Sequence, residues 1–115
     1  MQLTRQDSGY KLKLYGYEVH NLNLTLNKCG MKRYNYLIEK RTLDTASNIP
    51  EKFIDMHMEW SSEFKKRIST DFHINDYDIY HIVIALEYSI VIDKYHAQFI
   101  CEFRDSLCEK LKECK

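Results

Sequence analysis

Apolar and polar residues alternate strictly from Asn21 to Asn27, which puts Leu22, Leu24 and Leu26 on one side. The same two-residue period runs through Lys11-Leu12-Lys13-Leu14. Between these stretches the parity slips at Gly16, to Tyr15, Tyr17 and Val19, as it does at a β-bulge. Asn27-Lys28-Cys29-Gly30 supplies a turn, and Met31 to Thr42 resumes the alternation with Tyr34, Tyr36 and Ile38 on one face. The pattern predicts an N-terminal three-stranded antiparallel meander.

The period then changes. Phe53, Met56, His57, Trp60, Phe64 and Ile68 recur every three or four residues, the single apolar stripe of an amphipathic helix ending near Ser69. Ser47 or Asn48 is placed to cap it, with Pro50 and Glu51 in the first turn. Asp71 to Asp78 reads as an acidic connection. From Asp78 to Ile92, seven of fifteen residues are Ile or Val, and Tyr80, Ile82, Ile84, Leu86, Tyr88, Ile90 and Ile92 share one period-2 face. That predicts a long central strand, although Ile79, Val83, Leu86 and Ile90 also fit a helical stripe. Asp93 to Lys115 is helical, with Ala97, Ile100, Cys101, Leu107, Cys108 and Leu111 on its apolar side. The expected order is β-β-β-α-β-α, an α+β fold with both helices on one face of a sheet.

The chain has 115 residues, which predicts one domain over 1–115. It is 44% hydrophobic with three glycines and one proline, too apolar and too poor in breakers for a disordered chain. Seventeen basic residues balance seventeen acidic ones, which argues against bulk electrostatic binding to DNA. The balance hides an asymmetry, because residues 1–41 carry +5 and residues 42–115 carry −5. The start shows no apolar leader, and Ile82 to Leu86 is too short an apolar run to span a membrane. Cys29, Cys101, Cys108 and Cys114 include no close pair of the kind zinc sites use. Cys101 and Cys108 would stand about 10 Å apart on a helix, too far for a disulfide. Reduced thiols and a cytoplasmic location are the expectation.

Chemistry-bearing motifs are sparse. Asp71, His73, Asp76, Asp78 and His81 crowd one segment, and Asp78-x-x-His81 and Asp93-x-x-His96 repeat a spacing that a helix would put on one face. The di-iron pattern of Glu-x-x-His with further glutamates is missing. Cys29 lies near His20 in sequence, without sign of a base that reaches it. Arg67 and His73 are spaced like the Arg and His of some helical ribonucleases, whose all-helical build an α+β chain does not share. No Gly-rich phosphate loop occurs. No catalytic residue, cofactor or metal is therefore assigned.

Two binding readings lead, ahead of a metal-dependent enzyme built on the His73 and His81 segment. Asp71, Asp76, Tyr77, Asp78 and Tyr80 would form an acidic, tyrosine-rich surface for a protein partner with a basic face, as in an inhibitor, immunity or antitoxin module. Alternatively, Lys11, Lys13, Lys32, Arg33 and Tyr34 would bind RNA across a basic, tyrosine-rich sheet, with rings stacking bases and cations holding phosphates.

Overall fold

The structure, a computed structural model, describes residues 1–43 and 49–114. It is α+β, with the order β1 (Gln2–Gln6), β2 (Gly9–Lys13), α1 (Gly16–Leu26), α2 (Lys32–Glu39), α3 (Phe53–Lys65), β3 (Asp71–Ile74), α4 (Asp76–Ile92) and α5 (Ala97–Glu113). The sheet has three antiparallel strands in the order β1-β2-β3. The antiparallel sense matches the expectation, but there are three strands rather than four, and of the expected strand segments only Lys11–Leu14 contributes to one, as part of β2.

β1 and β2 make a tight hairpin in which Gln6 pairs with Gly9 across Asp7 and Ser8. Gly9 has φ +140°, and a Cβ there would meet the Ile74 carbonyl oxygen at 2.4 Å, so only glycine lets β3 close on the turn. β3 is added from far along the chain, pairing Tyr10 with Ile74 and Leu12 with Phe72. Those four side chains point inward and are buried. The outer face carries Thr4, Lys11, Lys13, Asp71 and His73, polar and at least partly exposed.

The expected second and third strands are helices. In α1, Leu22 and Leu26 are buried at 1% and 0% exposure, while Leu24 between them is only half-buried. Gly16 is the first residue of α1 rather than a bulge, and the Glu18 carboxylate accepts the Tyr15 backbone N–H at 2.9 Å. In α2, Tyr34 and Ile38 enter the core, and Tyr36 is 56% exposed. The physical reason is shared. Residues four apart lie on one face of a strand and almost on one face of a helix, so each pair satisfies both periods. The residue between them separates the two, and here it faces outward.

α4 overturns the expected central strand in the same way. It packs against α1, α2, α3 and α5, so it is apolar nearly all round and shows no single stripe. The segment read as an acidic connection contains β3 and the N-terminus of α4. Asn75 accepts the Asp78 backbone N–H at 2.8 Å, and Asp78 accepts the Asn75 backbone N–H at 3.0 Å, a reciprocal capping pair. α3 and α5 form where expected. The caps proposed at Ser47 and Asn48 lie outside the described residues, and Lys52, in the left-handed region at φ 60°, stands at the start of α3.

The core has two lobes joined through α4. The larger, with Leu12, Leu22, Leu26, Phe64, Ile74, Ile82, Leu86 and Leu107, lies between the sheet and the helices. The smaller gathers Tyr34, Ile38, Ile49, Phe53, Ile84 and Tyr88 under α2.

Asp78 ties these parts together. Its side chain is 2% exposed and accepts from the Trp60 indole N–H at 3.0 Å and from Arg67 at 2.8 and 3.3 Å, besides capping α4. Asp78→Ala should lower stability by about 3 kcal/mol in urea unfolding, because three buried or half-buried donors lose their acceptor. Asp76→Ala, on the exposed side of the same turn, should cost less than about 1 kcal/mol. Equal costs would show that the capping network is not what anchors α4.

Candidate partner-binding cleft

Asp78 and Trp60 also form the back of a surface cleft of about 420 Å³. One wall is the outer flank of α3, with Met56, Glu59 and Glu63, and the other is Asn75 and Tyr77 at the start of α4. Arg67 closes one end. The α3 residues reach this flank because 56, 59, 60 and 63 fall within about 100° of arc on a helix. Tyr77 stands opposite because the capping pair fixes where α4 begins.

The charges in the cleft sort themselves. Arg67 is bound to Asp78 and also donates to the His73 carbonyl at 2.7 Å, so its charge is spent internally. Burial alone would push the Asp78 carboxyl up, but Arg67, the Trp60 indole and the Asn75 amide together hold it below the usual carboxylate range. Glu63 meets Lys66 at 3.4 Å, yet both side chains are about 70% exposed and the pair is weak. Glu59 has no ion pair among the described residues. The two glutamates therefore set the charge of a cleft whose other surfaces are Met56, half-exposed Tyr77 and the edge of Trp60.

The acidic segment singled out in the sequence does not form one surface. Asp71 lies on the outer face of the sheet beside Lys11, at 3.4 Å. Asp76 faces the β1–β2 turn. Tyr77 lines the cleft, Asp78 is buried behind it, and Tyr80 is turned toward Phe53, ring centroids 5.9 Å apart. Of the five, only Tyr77 offers an exposed side chain to the cleft. Met56, Glu59 and Glu63 were missed, because nothing in the sequence of α3 says that the start of α4 stands opposite its polar flank. One available signal was Asn75-x-x-Asp78, a capping pattern ahead of an apolar run that marks a helix start and a buried carboxylate.

The RNA residues are also dispersed. Lys11 and Lys13 sit on an outer sheet face that carries no tyrosine, since Tyr10 points inward at 9% exposure. Lys32 and Arg33 lie in the first turn of α2, and Tyr34 is fully buried, so no base can stack on it. The possible metal ligands separate too. His73 bonds Gln6 on the sheet surface at 3.1 Å, while His81 is in the core. Among the described residues no group of three His, Cys, Asp or Glu could hold a metal ion.

Behind the cleft runs a buried polar chain. His57 Nδ1 lies 2.8 Å from His81 Nδ1, and His57 Nε2 lies 2.7 Å from the Tyr34 hydroxyl and 3.6 Å from Cys29 Sγ. Phe53 and Trp60 each stack on both imidazoles. The order thiol, imidazole, imidazole resembles a nucleophile with its base and an orienting group. Its electrostatics run the other way. Burial pushes the Cys29 thiol up, and burial together with His81 pushes His57 down to about 3. The proton stays on sulfur, and Tyr34 occupies the nitrogen that would take it. The chain is a satisfied core network with one exception, His81 Nε2, which is buried without a hydrogen-bond partner among the described residues.

The chain matches no protein-family model, no curated protein and no solved structure.

The imidazole pair makes stability depend on pH. Burial lowers His81 to about 4, against the pull of Asp78, and His57 to about 3, both from 6.5. The unfolded chain therefore takes up protons first as pH falls. The contribution is fully present above pH 6.5 and is lost as pH drops toward these folded-state values. Asp78 and Asp93 titrate below the usual carboxylate range, so they add to this only below about pH 4. The urea midpoint should be level above about pH 6.5 and fall steadily to about pH 4.5, and His57→Gln/His81→Gln should flatten that slope. A wild-type midpoint that stays level across this window would mean the pair accepts protons without penalty.

Proposed function

We propose that the protein is a binding module that takes a basic side chain of a partner protein into the α3–α4 cleft and covers the functional surface around it. Its action would be of the inhibitor, immunity or antitoxin type. The observation that carries this reading is the make-up of the cleft. Two carboxylates with little internal compensation stand at the rim, and Trp60, Tyr77 and Met56 line the interior. An arginine or lysine stem packs against such surfaces while its charge meets the glutamates. Tyr77 supplies a large, stiff contact that costs little entropy to order. Attraction between the rim and a basic surface speeds encounter, and the buried area sets the lifetime of the complex. A stable complex needs about 1,200–2,000 Å² in all, so the cleft would be the anchor of a wider contact.

The two acids differ from those first singled out in that Glu59 and Glu63 both line the cleft, whereas Asp71 and Asp76 lie elsewhere and Asp78 is buried. No helix among the described residues is long and apolar enough to cross a membrane. A cytoplasmic site of action fits the four free cysteines but rests on that composition alone.

The test is affinity capture from the native host, with the captured protein then measured kinetically. Glu59→Gln/Glu63→Gln should slow association about three- to tenfold at low salt and lose most of that difference at high salt. Asp71→Asn/Asp76→Asn should change it little. A partner bound equally well by the Glu59→Gln/Glu63→Gln variant would remove the cleft from the reading.

A further inference from the structure

We infer that the exposed face of α2 is a docking ridge for single-stranded RNA, separate from the cleft. Successive residues of a helix turn by about 100°, so Lys32, Arg33, Tyr36 and Lys40 fall within one arc of about 100°, with one exposed acid, Glu39, at its edge. All four are exposed. Tyr34 and Ile38 occupy the opposite arc and are buried at 0% and 2%. Arg41, exposed in the turn that follows, extends the row. The rise from Lys32 to Lys40 is about 12 Å.

Three features point to a polyanion. First, Lys32, Arg33, Lys40 and Arg41 have no ion pair among the described residues, whereas neighbouring Lys28 is held by Asp93 at 3.1 Å. Second, Lys32 and Arg33 stand in the first turn of α2, where there is no acidic residue. The positive end of the helix dipole disfavours cations there by about 0.3–1 kcal/mol. A local preference broken with no compensation inside the molecule is expected where an outside group supplies it. Third, the ridge is not purely cationic. Tyr36 is 56% exposed, and the Lys40 ammonium sits 5.6 Å from its ring centroid. A base stacked on Tyr36 would have cations on both sides for its phosphates, the combination that single-strand binding uses. A convex ridge with one stacking ring suits an unpaired base, not a paired one inside a duplex.

The ridge and the cleft lie on opposite flanks of α3. Met58, whose sulfur accepts from Asn35 of α2 at 3.5 Å, lies about 140° around α3 from the middle of the Met56, Glu59 and Glu63 flank. The negative cleft would repel a nucleic acid that the ridge attracts, so the two surfaces select different ligands.

Fluorescence anisotropy with a labelled oligouridylate tests the inference. Contacts to three or four phosphates predict a log–log salt slope of about −2 to −3. Lys32→Gln/Arg33→Gln should reduce its magnitude by about 1.4. Tyr36→Ala should weaken binding about 5- to 150-fold and leave the slope unchanged, as loss of stacking requires. These side chains are exposed, and circular dichroism checks that the variants stay folded. No binding at low salt would overturn the inference. So would binding lost on Lys11→Gln/Lys13→Gln instead, which would place the RNA on the sheet. Equal affinity for heparin or duplex RNA, with Tyr36→Ala inert, would overturn it as well.

Discussion

A helix enclosed on most of its sides leaves its buried polar atoms little water, so each one left without a partner on another element is costly. α4 is such a helix, and its polar side chains fix its neighbours in place. Asp78 binds Trp60 on α3 and Arg67 just beyond it, His81 binds His57 on α3, and the Ser89 hydroxyl donates to the Thr25 carbonyl of α1 at 3.2 Å. The apolar surface of α4 would accept many packings of similar energy. Its three buried polar contacts accept few, because leaving any one unmade costs about 1–3 kcal/mol.

The surface inherits this fixed geometry. The cleft exists because Asp78 binds both Trp60 and Arg67 while capping α4, which sets Tyr77 opposite the outer flank of α3 at one separation. The imidazole pair is the second fastener between the same two helices, one turn of α4 further on. Burial favours the neutral form of both imidazoles, so this fastener contributes to stability at neutral pH.

Charge is arranged around α3 as a divide. On one flank the glutamates meet little compensation, and on the other the cations of α2 meet none among the described residues. Apart from the exposed Glu63–Lys66 contact, the charges of both surfaces have no ion pair among the described residues, while buried Asp78 and the Lys28–Asp93 and Arg104–Glu87 pairs are locally matched. The zero net charge of the chain sums seventeen basic and seventeen acidic residues over the whole molecule, and it says little about either surface.

Two helices and the α+β class were legible from residue order alone. α3 and α5 run for more than three turns, and over that length a stripe at three- and four-residue spacing fits no strand. The antiparallel sense of the sheet and its Lys11–Lys13 strand were also legible, but the expected fourth strand is α4 and the segments of β1 and β3 were not foreseen. Leu22 and Leu26, like Tyr34 and Ile38, repeat after four residues, a distance common to two strand periods and about one helical turn. Only packing, which buried those pairs and left Leu24 half-buried and Tyr36 exposed, separated the two. The same held for the candidate sites. Composition marked Asp78 and Tyr34 as groups able to bind, and tertiary structure buried both. It placed Glu59 and Glu63 opposite Tyr77, more than a dozen residues away in sequence. The facing of distant side chains follows from how helices pack, and no local pattern encodes it.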